Sequence, residues 1–267
     1  MKKLLPFVLL AMMIIPGCRN RDKIPEMPGA YDMLSQKIWD DSLNLSFAMR
    51  RQLKVFTGDH MMYANVNRDD SISAFGVGTY TKDTTNTDSI TLYEHIVYRS
   101  NDTTVNTNPV TYKLTIQKTE RGFKQMIPQI EYMGRRPKLE EEYKNVGLPV
   151  KFPLDGVWKQ TSSYLIRGKD TTYNSATQFK TYYAGHFMWG NTYKDSTNKT
   201  RTGVGFGYFE VEGDNKIKEM LEFSTYMAMA GREFEVQYET MGDNEYKQTI
   251  VQENGDINVE HYERMTK

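Results

Sequence analysis

Leu53-Lys54-Val55-Phe56, followed by His60-Met61-Met62-Tyr63-Ala64-Asn65, returns in altered form as Phe179-Lys180-Thr181-Tyr182 and His186-Phe187-Met188-Trp189-Gly190-Asn191. Further landmarks keep the same order. Upstream, Pro28-Gly29-Ala30-Tyr31 matches Asp155-Gly156-Val157-Trp158. Downstream, Gly76-Val77-Gly78 matches Gly205-Phe206-Gly207, and Glu94-His95-Ile96-Val97-Tyr98 matches Glu219-Met220-Leu221-Glu222-Phe223. Gly122-Phe123-Lys124-Gln125-Met126-Ile127 then matches Glu245-Tyr246-Lys247-Gln248-Thr249-Ile250. Collinear landmarks at nearly constant spacing identify a tandem duplication.

Each copy reads as antiparallel strands. Glu233-Phe234-Glu235-Val236-Gln237-Tyr238-Glu239 alternates charged or polar with apolar residues, the mark of a strand with one wet face. Val110 to Gln117 does the same in the first copy. In the second copy strands are expected to start near Val157, Gln178, His186, Gly205, Lys216, Arg232, Glu245 and Ile257. Asn254-Gly255 predicts a type I′ hairpin turn. Asp40 to Arg51 and Pro137 to Val146 read ambiguously, as short helix or strand. Eight short antiparallel strands per copy suit a closed barrel, which leaves no exposed edge.

The copies meet in Gly147-Leu148-Pro149-Val150-Lys151-Phe152-Pro153, where two prolines interrupt pairing. The cut gives a first barrel over 24–147 and a second over 152–267. What precedes them has a different character. Lys2-Lys3 and the apolar run Leu4 to Ile15 form a signal-peptide pattern, too short for a membrane span of about 20 residues. Ile15-Pro16-Gly17-Cys18 resembles the bacterial lipobox, which implies a signal peptide over 1–17, lipidation at Cys18 and a polar tether over 18–23. Cys18 is the only cysteine, so the barrels hold no disulfide. The formal charge is +0 with no basic cluster, which argues against a nucleic-acid partner. The implied location is the cell envelope, anchored by lipid to the outer membrane and facing the periplasm.

Gly156-Val157-Trp158 resembles the Gly-x-Trp motif of the lipocalin or calycin group, whose tryptophan plugs the barrel base. Gly29-Ala30-Tyr31 is an aromatic variant of it. Phe179-Lys180, His186-Phe187-Met188-Trp189, Gly205 and Gly207, Glu219 and Tyr262 extend the resemblance to lipocalin-like domains of bacterial lipoproteins. The expected fold class is therefore all-β, two tandem eight-stranded antiparallel lipocalin-like barrels after a lipoprotein signal peptide.

Several residues stand out as site candidates. Glu94 shares strand phase with Ile90, Leu92, Ile96 and Tyr98, and Glu219 with Ile217, Leu221 and Phe223, so both carboxylates should point inward. A buried carboxylate needs a partner. It is either satisfied by a Lys, Tyr or backbone group, or it orients a ligand. His60 and His186 recur at one repeat position as structural or ligand-contacting residues; one histidine per barrel does not make a metal site. Tyr31 and Trp158 complete the ligand-binding candidates, and Gln125 and Gln248 have inward phase. Recurring Asp-(Ser/Thr)-x triplets, such as Asp83-Thr84-Thr85 and Asp195-Ser196-Thr197, fit either turn chemistry or an O-glycosylation acceptor pattern.

No nucleophile, metal or phosphate-loop motif is present in the sequence, so no enzyme activity and no cofactor are expected. The expected function is binding of a small apolar or amphipathic ligand by a membrane-anchored lipoprotein. The alternative is a non-enzymatic envelope scaffold with filled barrels that binds a protein partner. Bulky Trp158, Tyr182, Trp189, Phe223, Phe234 and Tyr238 suggest that the second barrel is filled. Smaller Val55, Ala64, Leu114 and Ile116 make the first the better pocket candidate.

Overall fold

The structure, a computed structural model, describes residues 27–48, 51–66, 73–85, 89–102 and 104–266. The expected signal peptide, Cys18 and the tether lie outside these residues. Every regular element described is a strand. The first copy runs β1 (Gly29–Trp39), β2 (Asn44–Ala48), β3 (Arg51–Phe56), β4 (His60–Val66), β5 (Ala74–Asp83), β6 (Ile90–Arg99), β7 (Val110–Lys118), β8 (Gly122–Ile127) and β9 (Lys138–Asn145). The second runs β10 (Gly156–Arg167), β11 (Asp170–Tyr173), β12 (Thr177–Tyr183), β13 (His186–Lys194), β14 (Thr200–Val211), β15 (Lys216–Ser224), β16 (Arg232–Thr240), β17 (Glu245–Val251) and β18 (Ile257–Arg264).

Sequential antiparallel pairing closes when β9 returns to β1 and β18 to β10. β2 and β3 lie on the same side of β1, one beyond the other, and β11 and β12 flank β10 likewise. Each pair thus forms one interrupted stave, and each copy is a closed barrel of eight. The ambiguous stretches resolve as strand: Asp40 to Arg51 carries β2, and Pro137 to Val146 carries β9. The Asn254-Gly255 expectation needs correction. Gly255 alone adopts positive φ (83°), and its N–H donates to Gln252 O at 2.9 Å. With Val251 paired to Ile257, the turn is a longer type I loop ending in a glycine bulge.

Alternation along the strands sorts side chains to two faces. On β6, Ile90, Leu92, Glu94 and Ile96 are buried inside the first barrel. Glycines seat the large aromatics: a Cβ on Gly205 would lie 2.5 Å from the Trp189 ring, and one on Gly76 the same distance from Tyr63. The Asp-Thr triplets act as turns. Asp83, Asp102 and Asp195 each accept a backbone N–H from the residue two positions on.

The outer faces of β3, β4 and β5 are as apolar and as buried as their inner faces. Leu53, Val55, Met62, Ala64, Phe75 and Val77 pack on Val157, Phe179, Met188, Val204 and Phe206 of the second barrel. β4 lies chiefly against β14 and β10 and also meets β13, while β5 meets β14 and β3 meets β12. Phe75 approaches β13 so closely that a Cβ on Gly190 would lie 2.3 Å from its ring. Tyr98 Oη and Thr192 Oγ1 (2.5 Å) bond across the seam, and Arg51 lies over the Phe223 ring at 4.7 Å. Each large apolar side chain buried here contributes about 1.5–3 kcal/mol, so the two barrels form one body.

Candidate functional site

The inner faces of the two barrels repeat one polar network. In the second, alternation on β12 turns Gln178, Lys180 and Tyr182 inward, while β15 supplies Glu219, β17 Gln248 and β18 Glu260 and Tyr262. Lys180 Nζ pairs with Glu219 Oε1 at 2.6 Å and donates to Gln248 Oε1 at 3.1 Å. Gln248 Nε2 donates to Glu260 Oε2 at 2.5 Å, as does the Tyr262 hydroxyl at 2.6 Å, and Gln178 Nε2 donates to Tyr262 Oη at 2.6 Å. In the first barrel, Lys54 pairs with Glu94 at 2.5 Å and donates to Gln125 at 3.0 Å. Gln125 donates to Glu141 at 2.5 Å, Tyr143 donates to Glu141 at 3.0 Å, and Gln52 donates to Tyr143 at 2.7 Å.

A lysine buried to 2% exposure would be costly alone, and the carboxylate beside it offsets much of that cost. Aromatic faces help: Lys180 Nζ lies 4.9 Å from the Tyr182 ring centre and Lys54 Nζ 5.1 Å from that of Phe56. The phenol of Tyr182, which Phe56 lacks, donates to Glu219. Burial, then the Glu219 charge, pushes the Tyr182 hydroxyl well up, so it remains a donor. Burial does the same to Tyr262, with Glu260 adding to it, and to Tyr143, with Glu141 adding.

The network closes one end of a cavity of about 890 Å³ in the second barrel. Lys180, Glu219, Gln248 and Glu260 face it, and Phe187, Trp189, Tyr226, Met229 and Phe234 form its apolar wall. It opens where β16 leaves β17: their pairing begins only at Val236–Ile250, so Arg232 to Glu235 diverge from Val251. β7 leaves β8 in the same way above Thr115–Met126. There the gap is covered. The connection 128–137 folds back, placing Ile130 and Tyr132 on the first core, and Val105 enters from the β6–β7 connection. Arg135 pins this cap to the β1–β2 turn through Asp40 at 2.7 Å. The second copy has only the short loop 252–256 in its place. The expectation that the first barrel is the better pocket is therefore reversed, because chain connections rather than strand side chains decide which barrel is filled.

Of the six ligand-binding candidates, Glu219 lines this cavity and the others lie elsewhere. Glu94 is buried with Lys54 in the first barrel. Tyr31 and Trp158 plug the opposite ends: Tyr31 Oη donates to Met27 O at 3.3 Å and Trp158 Nε1 to Leu154 O at 2.7 Å, each four residues back. Arg264 lies over the Trp158 ring at 4.1 Å, and Trp158 borders a separate hollow of about 450 Å³. His60 is buried beside Asp59 (2.7 Å), and His186 is held by Ala184 O (3.1 Å). Sequence reading did not single out Glu141 and Glu260. Their signal was the Glu-x-Tyr spacing in the last strand of each copy, Glu141/Tyr143 and Glu260/Tyr262. Among the described residues no group of three or more His, Cys, Asp or Glu is placed to hold a metal ion. No protein-family model matches the chain, and no curated protein matches it.

Proposed function

We propose that this chain is a lipid-anchored, lipocalin-like envelope protein whose second barrel binds one small amphipathic molecule. The observation that carries the reading is the cavity of about 890 Å³ with a hydrogen-bonding floor and an aromatic wall. That size and mixture suit a small-molecule site, where apolar surface gives affinity and a few polar groups fix orientation. The sequence Ile15-Pro16-Gly17-Cys18 supports the anchor at Cys18, and the balanced charge favours a small molecule over nucleic acid.

The capped first barrel favours a supporting role for that half, bracing the second through the shared seam and offering its outer surface to an envelope protein partner. Native mass spectrometry with lipid extraction, on protein purified from its own host, tests the binding reading. One small molecule bound per chain supports it. Empty protein that also fails to take up a neutral dye would leave only the scaffold reading.

A further inference from the structure

Comparison of the two copies isolates one carboxylate. In the first barrel Glu141 faces Gln36 across the β1–β9 pair, and Gln36 Nε2 donates to Glu141 Oε1 at 2.8 Å. In the second, the residue facing Glu260 in the same register is Ser163, whose Oγ instead accepts from Asn174. Glu260 Oε1 takes a bond from Asn258 at 2.9 Å, while Gln248, Tyr262 and, more distantly, Gln178 (3.4 Å) converge on Oε2. All four partners are neutral. Among the described residues no lysine, arginine or histidine forms an ion pair with Glu260, since Lys180 is taken by Glu219. With one donor in place Oε1 keeps acceptor capacity, and Glu260 lines the cavity.

The other charges around it are paired. Of the five glutamates that line the cavity, Glu219 pairs with Lys180, Glu253 with Arg232, Glu235 with Lys216 and Glu233 with Lys218, which leaves Glu260 without an ion pair among the described residues. A carboxylate without a counter-ion in a concave wall attracts the opposite charge. The wall also presents ring faces: Trp189 and Tyr226 stack at 5.7 Å, with Phe234 nearby. Such faces hold an alkyl or aryl body and attract an adjacent cation.

We propose that the cavity selects an amphipathic cation, a compact alkyl or aryl amine whose ammonium donates to Glu260 Oε1 and whose apolar body lies against Trp189, Tyr226 and Phe234. The inference rests on the second barrel being a binding cavity. An anionic head would meet Glu260 as a like charge and would find Lys180 already engaged.

Calorimetric titration of the purified protein with n-octylamine, n-octanol and n-octanoate separates the possibilities. The expected order is octylamine tightest and octanoate weakest. Glu260→Gln keeps the shape and should weaken octylamine about tenfold, the scale of one charge-assisted hydrogen bond, while leaving octanol unchanged. Octanoate binding as tightly as octylamine, or octylamine indifferent to Glu260→Gln, overturns the charge selectivity but leaves the cavity as a site. Failure of all three probes to bind overturns the cavity reading as well. The wild-type ranking decides the proposal even if the variant does not fold.

Discussion

Lys180 Nζ lies 2.6 Å from Glu219 Oε1 inside a barrel wall, with both side chains at 5% exposure or less. The pair holds β12 to β15, strands that are not neighbours, and its counterpart Lys54–Glu94 does the same for β3 and β6. Removing one partner leaves an uncompensated buried charge. Lys180→Met is expected to lower unfolding stability by about 3–5 kcal/mol. Lys180→Met with Glu219→Leu should recover most of the loss. Urea denaturation measures both, and a cost for the single variant near that of a surface pair, about 1 kcal/mol or less, would show that the pair is not structural.

This pair also marks how far sequence reading reached. The inward phase of Glu94 and Glu219 was visible because alternation on β6 and β15 is regular, and the repeat itself aligned Lys54 with Lys180. Strand starts at His186, Lys216, Arg232, Glu245 and Ile257 were legible for the same reason. The cavity was not. Whether a barrel is filled depended on Ile130 and Tyr132 in a connection without periodicity, and the large Trp189 that suggested filling instead lines the wall. The seam was hidden too, because burial of the outer faces at Val55 and Phe179 comes from another domain rather than from their own strands.

The seam makes a separate expectation. Gly190→Val would drive side-chain atoms into the Phe75 ring, where even a Cβ would approach to 2.3 Å. Overpacking of this kind costs about 1–3 kcal/mol, and here it should weaken contact between the barrels. Chemical unfolding, expected as one transition for the native chain, should broaden or split in the variant. Phe75→Leu in the same chain should restore a single transition. An unchanged transition in Gly190→Val would contradict the packed seam.

The cap predicts a gain rather than a loss. Ile130→Ser together with Tyr132→Ser should loosen the 128–137 connection from the first core and uncover the gap between β7 and β8. Fluorescence titration with Nile red should then report a second dye site per chain. If stoichiometry stays as in the native chain, the first barrel is filled from its own strands and the cap is incidental.

Acid dependence follows from Asp155, at the entry to β10. Burial raises its carboxyl from 3.8 to about 6, against opposing effects from the Phe152 N–H and Arg264. The folded state holds this proton more tightly than the unfolded chain, so Asp155 favours folding below pH 3.8 and that contribution is lost as pH rises to about 6. Asp32 and Glu222 shift upward as well, mainly through burial, and act with the same sign. Asp155→Asn should therefore raise the melting temperature near neutral pH and have little effect in strong acid. A variant less stable than the native chain at neutral pH would contradict this assignment.

The most direct test of the central claim is the stoichiometry of Nile red binding to the native chain and to Ile250→Trp. Ile250 lines the cavity, makes none of the Glu260 hydrogen bonds itself and lies across from Asn258, so a tryptophan there should fill the space with Gln248 and Tyr262 still bonded to Glu260. One dye molecule per native chain and none for Ile250→Trp, at unchanged melting temperature, is the result expected of a single site in the second barrel. Undiminished binding by Ile250→Trp, or no binding by the native chain, would contradict it.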